Sequence, residues 1–373
     1  MEGFVVQAPN HFTVPRPPEV VNDLLHSPFL QPAMTDSLLC HSILAVSAAA
    51  ETAIPDPTMN VLALTLLDQA MTLLRQRVAI ERFKLEDNTI IAAIYLWKAN
   101  LSLADRESLK GHASSIRALV ATREGVEKLG MSGAVAQLLR WTDIMHSLRV
   151  HEPCQYTILD EIPGRPQADV NHYGTYWRQD AQLMPTSDRT IIKACQDCCF
   201  IIETLELHES ERMEPALYWY LYQKTCQVFQ QSSTVRAKYY DSGNMEECII
   251  LTIDLLKLLI FKGGYMQPDR WDIRSLCSGI VEAVKSTGPS NFWQKHMDVL
   301  IWIMFVVRAA EHDSEEQEWA RKVLKGALQS KFGYRESWLN DWQNELRTLL
   351  ASFGWSHTVL SDGIHAMCIK IFG

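Results

Sequence analysis

Three stretches of this chain carry side chains whose types and spacing could do chemistry. "WTDIMHSLR" lines up Trp141 or Thr142, Met145 or His146, and Arg149. "PALYWYLYQKTC" places Tyr218, Tyr222 and Cys226 on one face, with Trp219 and Gln223 beside it. "NFWQKHMDVLIWIMFVVR" places Trp293, His296 or Met297, and Leu300 on one face, with Trp302, Phe305 and Arg308 around the side. Residues three and four apart are neighbours on a helix, so each set forms a mixed aromatic and polar stripe on an apolar element. An apolar pocket with a few convergent donors is the usual form of a small-molecule site. The candidate catalytic donors are His146, Arg149, Tyr218, Tyr222, His296 and Arg308. The candidate substrate walls are Trp141, Met145, Trp177, Trp219, Trp293, Met297 and Trp302. The competing reading is that these are core and rim aromatics whose polar atoms are met by backbone.

Other chemistries lack their residues. "CQDCC" at 195–199 puts Cys195 and Cys198 on one helical face, but no second pair stands at a zinc spacing, so thiols and no metal are expected. A diphosphate-ionising cyclase needs carboxylate clusters for Mg²⁺, and "LEDN" and "MEEC" are poor substitutes. No GxxxxGK, GxGxxG, GxSxG or HExxH motif occurs. No cofactor is expected.

The elements that would position these residues are helices. Thr35 or Asp36 can cap "DSLLCHSILAVSAAAE". In the next segment Leu62, Leu66, Ala70, Leu73 and Leu74 recur at helical spacing. Asp87 or Asn88 can cap "TIIAAIYLWKANLSLA", and a further amphipathic helix ends at Gly125. Residues 152–186 are irregular, because prolines and glycines exclude a long helix there. Within them "NHYGTYWRQ" brings His172, Tyr173, Trp177 and Arg178 onto either a lid or a plain surface loop. Helices resume to the end, with Pro215 suited to a first turn. No period-2 strand series appears. The expected class is all-α: an extended segment over 1–23, then a single large multi-helix domain over 24–373.

The chain has 373 residues, 47% hydrophobic and 21% charged, with a net charge of −9. That balance runs against a nucleic-acid binder, which needs a basic face. Nine scattered cysteines read as reduced thiols in a cytoplasmic protein, or a nuclear one if it is a regulator. The first residues do not read as a secretory signal. "CIILTIDLLKLLIF" carries Asp254 and Lys257, and "VLIWIMFVV" is short, so both suit buried helices and no membrane insertion is expected. A homodimer is left open.

Several segments in order resemble the fungal-specific transcription factor domain, the regulatory half of zinc-cluster activators. They are "SPFLQPAMTDSLLCHSILAVSAAAE", "ALTLLDQAMTLLRQRV", "DNTIIAAIYLWKANLS" with "LKGHASSIRALVATREGVEKLG", "WTDIMHSL", and "VLIWIMFVVRAAEHDSEEQEWARKVLKG". The resemblance spans roughly residues 24–350 and implies a single α-helical domain that packs helix pairs. In such activators a metal-bound, basic DNA-reading module precedes the domain. Here the residues before Asp36 hold no cysteine and one cation, Arg16, so that module is expected to be absent and direct DNA binding with it.

Two functions follow. One is an orphan regulator that binds an effector or a partner protein. The other is an enzyme that needs none of the missing motifs. The chain is similar in length, helicity and lack of a DNA module to fungal tropolone–sesquiterpene hetero-Diels–Alderases, which resemble the same domain without its zinc cluster. That resemblance implies a quinone methide, formed by loss of water from a hydroxymethyl tropolone, held against a humulene-type alkene. The enzyme is the expectation carried forward, with an apolar conjugated small molecule as its partner.

Overall fold

The computed structural model describes residues 29–51, 57–81, 85–103, 106–156, 174–178, 185–207, 215–260, 270–287, 290–310, 315–333 and 341–356. Fourteen α-helices and three short 3₁₀ turns run through them, and no strand occurs among the described residues. The all-α expectation holds. The extended segment expected over 1–23 lies outside the described residues, as do His172 and Tyr173. Two compact units are distinguished.

The first unit holds the described residues of Pro18–Asp160 and of Asp269–Asp272, the last being the first turn of a helix that otherwise belongs to the second unit. Its helices are α1 (Leu30–Ala33), α2 (Ser37–Glu51), α3 (Pro57–Glu81), α4 (Asp87–Leu103), α5 (Arg106–Ala121) and α6 (Ala134–Val150). Asp36 caps α2 as its side chain allows: Oδ1 accepts the N–H groups of Leu38 at 3.0 Å and Leu39 at 3.2 Å. Its other oxygen pairs with Arg77 of α3 at 2.5 Å and accepts from Asn88 of α4 at 3.3 Å. One carboxylate thus ties three helices. α4 is the central element, with Ile90, Ile91, Ile94 and Trp97 all buried. Each such aliphatic side chain contributes about 1.5–3 kcal/mol. α5 lays Leu109, Ala113, Ile116 and Val120 along one buried stripe and closes where the Gly125 N–H meets the Val120 carbonyl at 3.2 Å.

Two local expectations shift. α4 already begins at Asp87, so Glu86 stands at the cap; Asp87 pairs instead with Arg123 at 2.8 Å and Asn88 with Asp36. On α3 the buried face is centred on Ala63 and Ala70, with Leu66, Leu73 and Leu74 half-buried, while Leu62 is 46% exposed. Four of the five expected residues face inward, and Ala63 takes the buried place expected of Leu62.

The second unit holds the described residues of Glu161–Pro268 and Ile273–Gly373. Its helices are α7 (Arg189–Leu207), α8 (Pro215–Tyr239), α9 (Met245–Ile260), α10 (Arg270–Ser286), α11 (Ser290–Lys295), α12 (Met297–Ala309), α13 (Glu315–Phe332) and α14 (Asp341–Ser352). Pro215 opens α8, where its missing N–H costs nothing. α9 is buried along its length and α12 nearly so, as their apolar sequences require. No helix among the described residues is long and apolar enough to cross a membrane. α9 also buries charge. Asp254 pairs with Arg236 of α8 and with Lys257 at 2.6 Å, and Ser232 bridges them, donating to Asp254 at 2.7 Å and accepting from Lys257 at 2.8 Å. The Lys257 ammonium also lies 4.0 Å from the centre of the Phe229 ring.

The run "NFWQKHMDVLIWIMFVVR" is two helices, not one. His296 leaves the helical region at φ −120°, ψ 36°. Its N–H bonds the Trp293 carbonyl at 3.1 Å and its carbonyl accepts from Leu300 at 3.1 Å, so it ends α11 and starts α12.

Candidate functional site

The expected site residues fall into two groups, one in each unit. In the second unit Trp177 and Trp302 meet with ring centres 5.6 Å apart, and both pack on Phe353 at 5.6 and 5.4 Å. Each is 1% exposed. Trp177 is therefore a core residue on a 3₁₀ turn (Thr175–Arg178), where a lid or surface loop was expected. The turn is held from below. Gly174, at φ 70°, and Gly354, at φ 94°, both press on Cys199 of α7, so a Cβ at either would stand 2.5 Å from its Sγ.

Arg308 is engaged structurally: it donates to Gln317 at 2.6 Å, and Gln317 donates to the Val307 carbonyl at 2.8 Å. His296 packs on Phe292 at 5.3 Å, and burial with the nearby Lys295 charge lowers its pKa. Trp293 is buried, Met297 opens α12, and Tyr222 is buried on α8. Tyr218 and Trp219 belong to the first turns of α8, with side chains outside the described part. These residues do not form one polar constellation among the described side chains.

The first unit does form one. Trp141, Met145, His146 and Arg149 are all buried on α6. The His146 ring lies against Trp97 of α4, centres 5.1 Å apart and tilted 57°. Asp143 stands three residues before His146, 1% exposed. After α6 the chain turns at His151, in the left-handed region at φ 56°, and returns as a strap over residues 152–156. Ser147 donates to the Glu152 carbonyl at 2.6 Å, Lys110 of α5 pairs with Glu152 at 3.1 Å, and Arg117 of α5 donates to Gln155 at 3.1 Å. Asp143 Oδ2 accepts the backbone N–H groups of Gln155 at 2.7 Å and Tyr156 at 3.0 Å.

Four buried polar atoms here have no hydrogen-bond partner among the described residues: Trp97 Nε1, Asp143 Oδ1, His146 Nδ1 and the Tyr156 hydroxyl. Their ionisation follows from burial. Desolvation pushes the Asp143 carboxyl up to about 6, against the pull of the two strap amides and Arg117. Desolvation pushes His146 down to about 4, with Glu152 opposing and Arg117 and Lys110 adding. Burial, and then the Asp143 charge, raise the Tyr156 phenol. At neutral pH the site thus offers an ionised acid, a neutral imidazole and a phenol that keeps its proton.

Of these residues only His146 stood out in the sequence. Asp143 and Tyr156 were missed, and so was Trp97. The available signal was Asp143–His146 at a spacing of three on a helix buried along most of its length. No group of three or more metal-ligating side chains occurs among the described residues. No family model, curated protein or solved structure matches this chain.

Proposed function

We propose that the chain is a cofactor-independent enzyme that holds an apolar, conjugated small molecule against Trp97 and His146 and converts it by cycloaddition. The observation that supports this is the His146 ring against Trp97, with four buried polar atoms of Trp97, Asp143, His146 and Tyr156 that have no hydrogen-bond partner among the described residues. Each unpaired buried group costs about 1–3 kcal/mol. Packing alone gains nothing by collecting such costs in one place, and a ligand that met them would recover them.

A pericyclic step asks for little more. Holding two partners in a near-attack pose supplies up to about 7–11 kcal/mol in the best intramolecular cases. A donor on the electron-poor partner adds to this, because charge builds there in the transition state. Tyr156 is that donor, Trp97 is the wall, and His146 or Tyr156 assists loss of water from a hydroxymethyl precursor. The substrates are those implied by the resemblance in the sequence: a tropolone-derived quinone methide and a humulene-type sesquiterpene. With a net charge of −9, direct DNA binding is no part of this reading.

A second reading is an effector-binding regulator that acts through another protein. It is favoured by one observation: most of the segments that resemble the activators' regulatory domain fall on α1 to α6, the unit that carries the site. Incubation with a hydroxymethyl tropolone and humulene, followed for adduct and stereochemistry, separates the two. Acceleration with a single stereoisomer supports the enzyme. Tight binding without turnover supports the regulator.

A further inference from the structure

α3 is 25 residues long and buries only one side. Ala63 and Ala70 face the core of the first unit, and the opposite side is an exposed strip from Val61 to Ile80. At 1.5 Å per residue the strip is about 28 Å long. Val61, Leu62 and Leu64 stand at its first end, with Val61 65% exposed. Asp68 follows, Thr72 lies in the middle, and Arg75 comes next. Ala79 and Ile80 close the strip, with Ile80 81% exposed. Val61, Asp68, Thr72, Arg75 and Ala79 recur at spacings of three, four and seven, so they share one face. The side chains of Asp68 and Arg75 form no hydrogen bond or ion pair among the described residues.

The order along the strip is apolar, acidic, neutral, basic, apolar. Reversed, it is its own complement. A twofold axis between Met71 and Thr72 lays a second α3 antiparallel on the first, an isologous contact in which each pairing occurs twice. Asp68 of each copy then faces Arg75 of the other, and Leu64 faces Ala79. Leu62 and Ile80 are a whole number of helical turns apart and lie along one flank of the strip. The twofold keeps that flank on the same side in both copies, so Leu62 meets Ile80 of the second copy. A parallel pairing would set Asp68 on Asp68 and Arg75 on Arg75. A membrane or a wholly apolar partner would desolvate both charges unpaired, and nucleic acid would meet Asp68.

We propose that this strip of α3 is the contact between two copies of the chain, packed antiparallel about Thr72. It goes beyond the small-molecule reading and does not depend on it. One helix pair buries less than the roughly 1,200–2,000 Å² of a standard stable interface, so the dimer is weak and forms with rising concentration. Its two ion pairs set orientation and offset part of the repulsion between chains of net charge −9.

Sedimentation equilibrium of the full chain tests this. Wild type is expected to shift from monomer toward dimer as concentration rises to roughly 100 µM. Asp68→Arg sets arginine against arginine at both pairs, and Arg75→Asp sets aspartate against aspartate. Each single variant should dimerise about tenfold more weakly or worse. Mixed in equal amounts, the two variants satisfy both pairs and should associate about as well as wild type. The double swap Asp68→Arg with Arg75→Asp should do so alone. Both positions are exposed, so the fold should survive each change, as circular dichroism would check. Wild type that stays monomeric at roughly 100 µM overturns the proposal, as it would if another part of the chain or a different protein covers the strip. A dimer indifferent to both single reversals uses another face and overturns it as well. Weakening in both singles with no recovery on mixing overturns the antiparallel register and the proposal with it.

Discussion

Asp143 and His146 stand three residues apart on α6, and burial reverses the order in which they ionise. The acid is raised to about 6 and the imidazole lowered to about 4, so between these values both are neutral where free groups would form an ion pair. The reversal makes α6 both a structural helix and a proton-sensitive wall of the candidate site.

Their effects on stability should cancel. Asp143 binds its proton more tightly folded than unfolded, so it makes the fold less stable as pH rises from about 4 to 6. His146 resists protonation when folded, so it makes the fold more stable as pH rises from about 4 to 6.5. Each shift of about two units corresponds to about 3 kcal/mol. Urea midpoints between pH 4 and 7 should therefore be nearly flat in the wild type as far as this pair is concerned. They should rise with pH in Asp143→Asn and fall with pH in His146→Gln. Parallel profiles for the two variants would show that these groups are not buried as described.

The buried triad of α8 and α9 predicts a large loss from a small change. Asp254→Asn leaves the Arg236 and Lys257 charges without their carboxylate, both at 1% exposure or less. The expected cost is about 3–5 kcal/mol, read from the urea midpoint. A loss under about 1 kcal/mol would mean that water reaches these cations.

The thiol that holds the Trp177 turn predicts a coupling. Gly354→Ala adds a Cβ 2.5 Å from Cys199 Sγ at a φ of 94°, so both contact and backbone resist it. In a Cys199→Ala background the Sγ clash is gone, the remaining Cβ stands at an ordinary 3.4 Å, and the backbone cost remains. A double-mutant cycle should give a coupling of about 0.5–3 kcal/mol. Additive effects would place the strain in the backbone alone.

Most of the fold was legible because it rests on local rules. Asp36 caps α2, Pro215 opens α8, and the apolar runs of α9 and α12 are buried. What was not legible depends on contacts far apart in sequence. Trp177 looked like a loop aromatic because nothing local marks its partners Trp302 and Phe353. The break at His296 leaves no glycine or proline to read. Asp143 and Tyr156 join through a strap that returns on its own helix, and neither residue type announces that return.

The central claim is that the Tyr156 hydroxyl, unpartnered among the described residues, serves a reacting ligand. The most direct test is the rate of adduct formation from a hydroxymethyl tropolone and humulene with wild type, Tyr156→Phe and no protein, at one pH. The account predicts a single stereoisomer with wild type and a rate lower by roughly 10²–10³-fold in Tyr156→Phe, the scale for loss of one transition-state donor, with folding retained. A wild-type rate and product ratio equal to those without protein would contradict it.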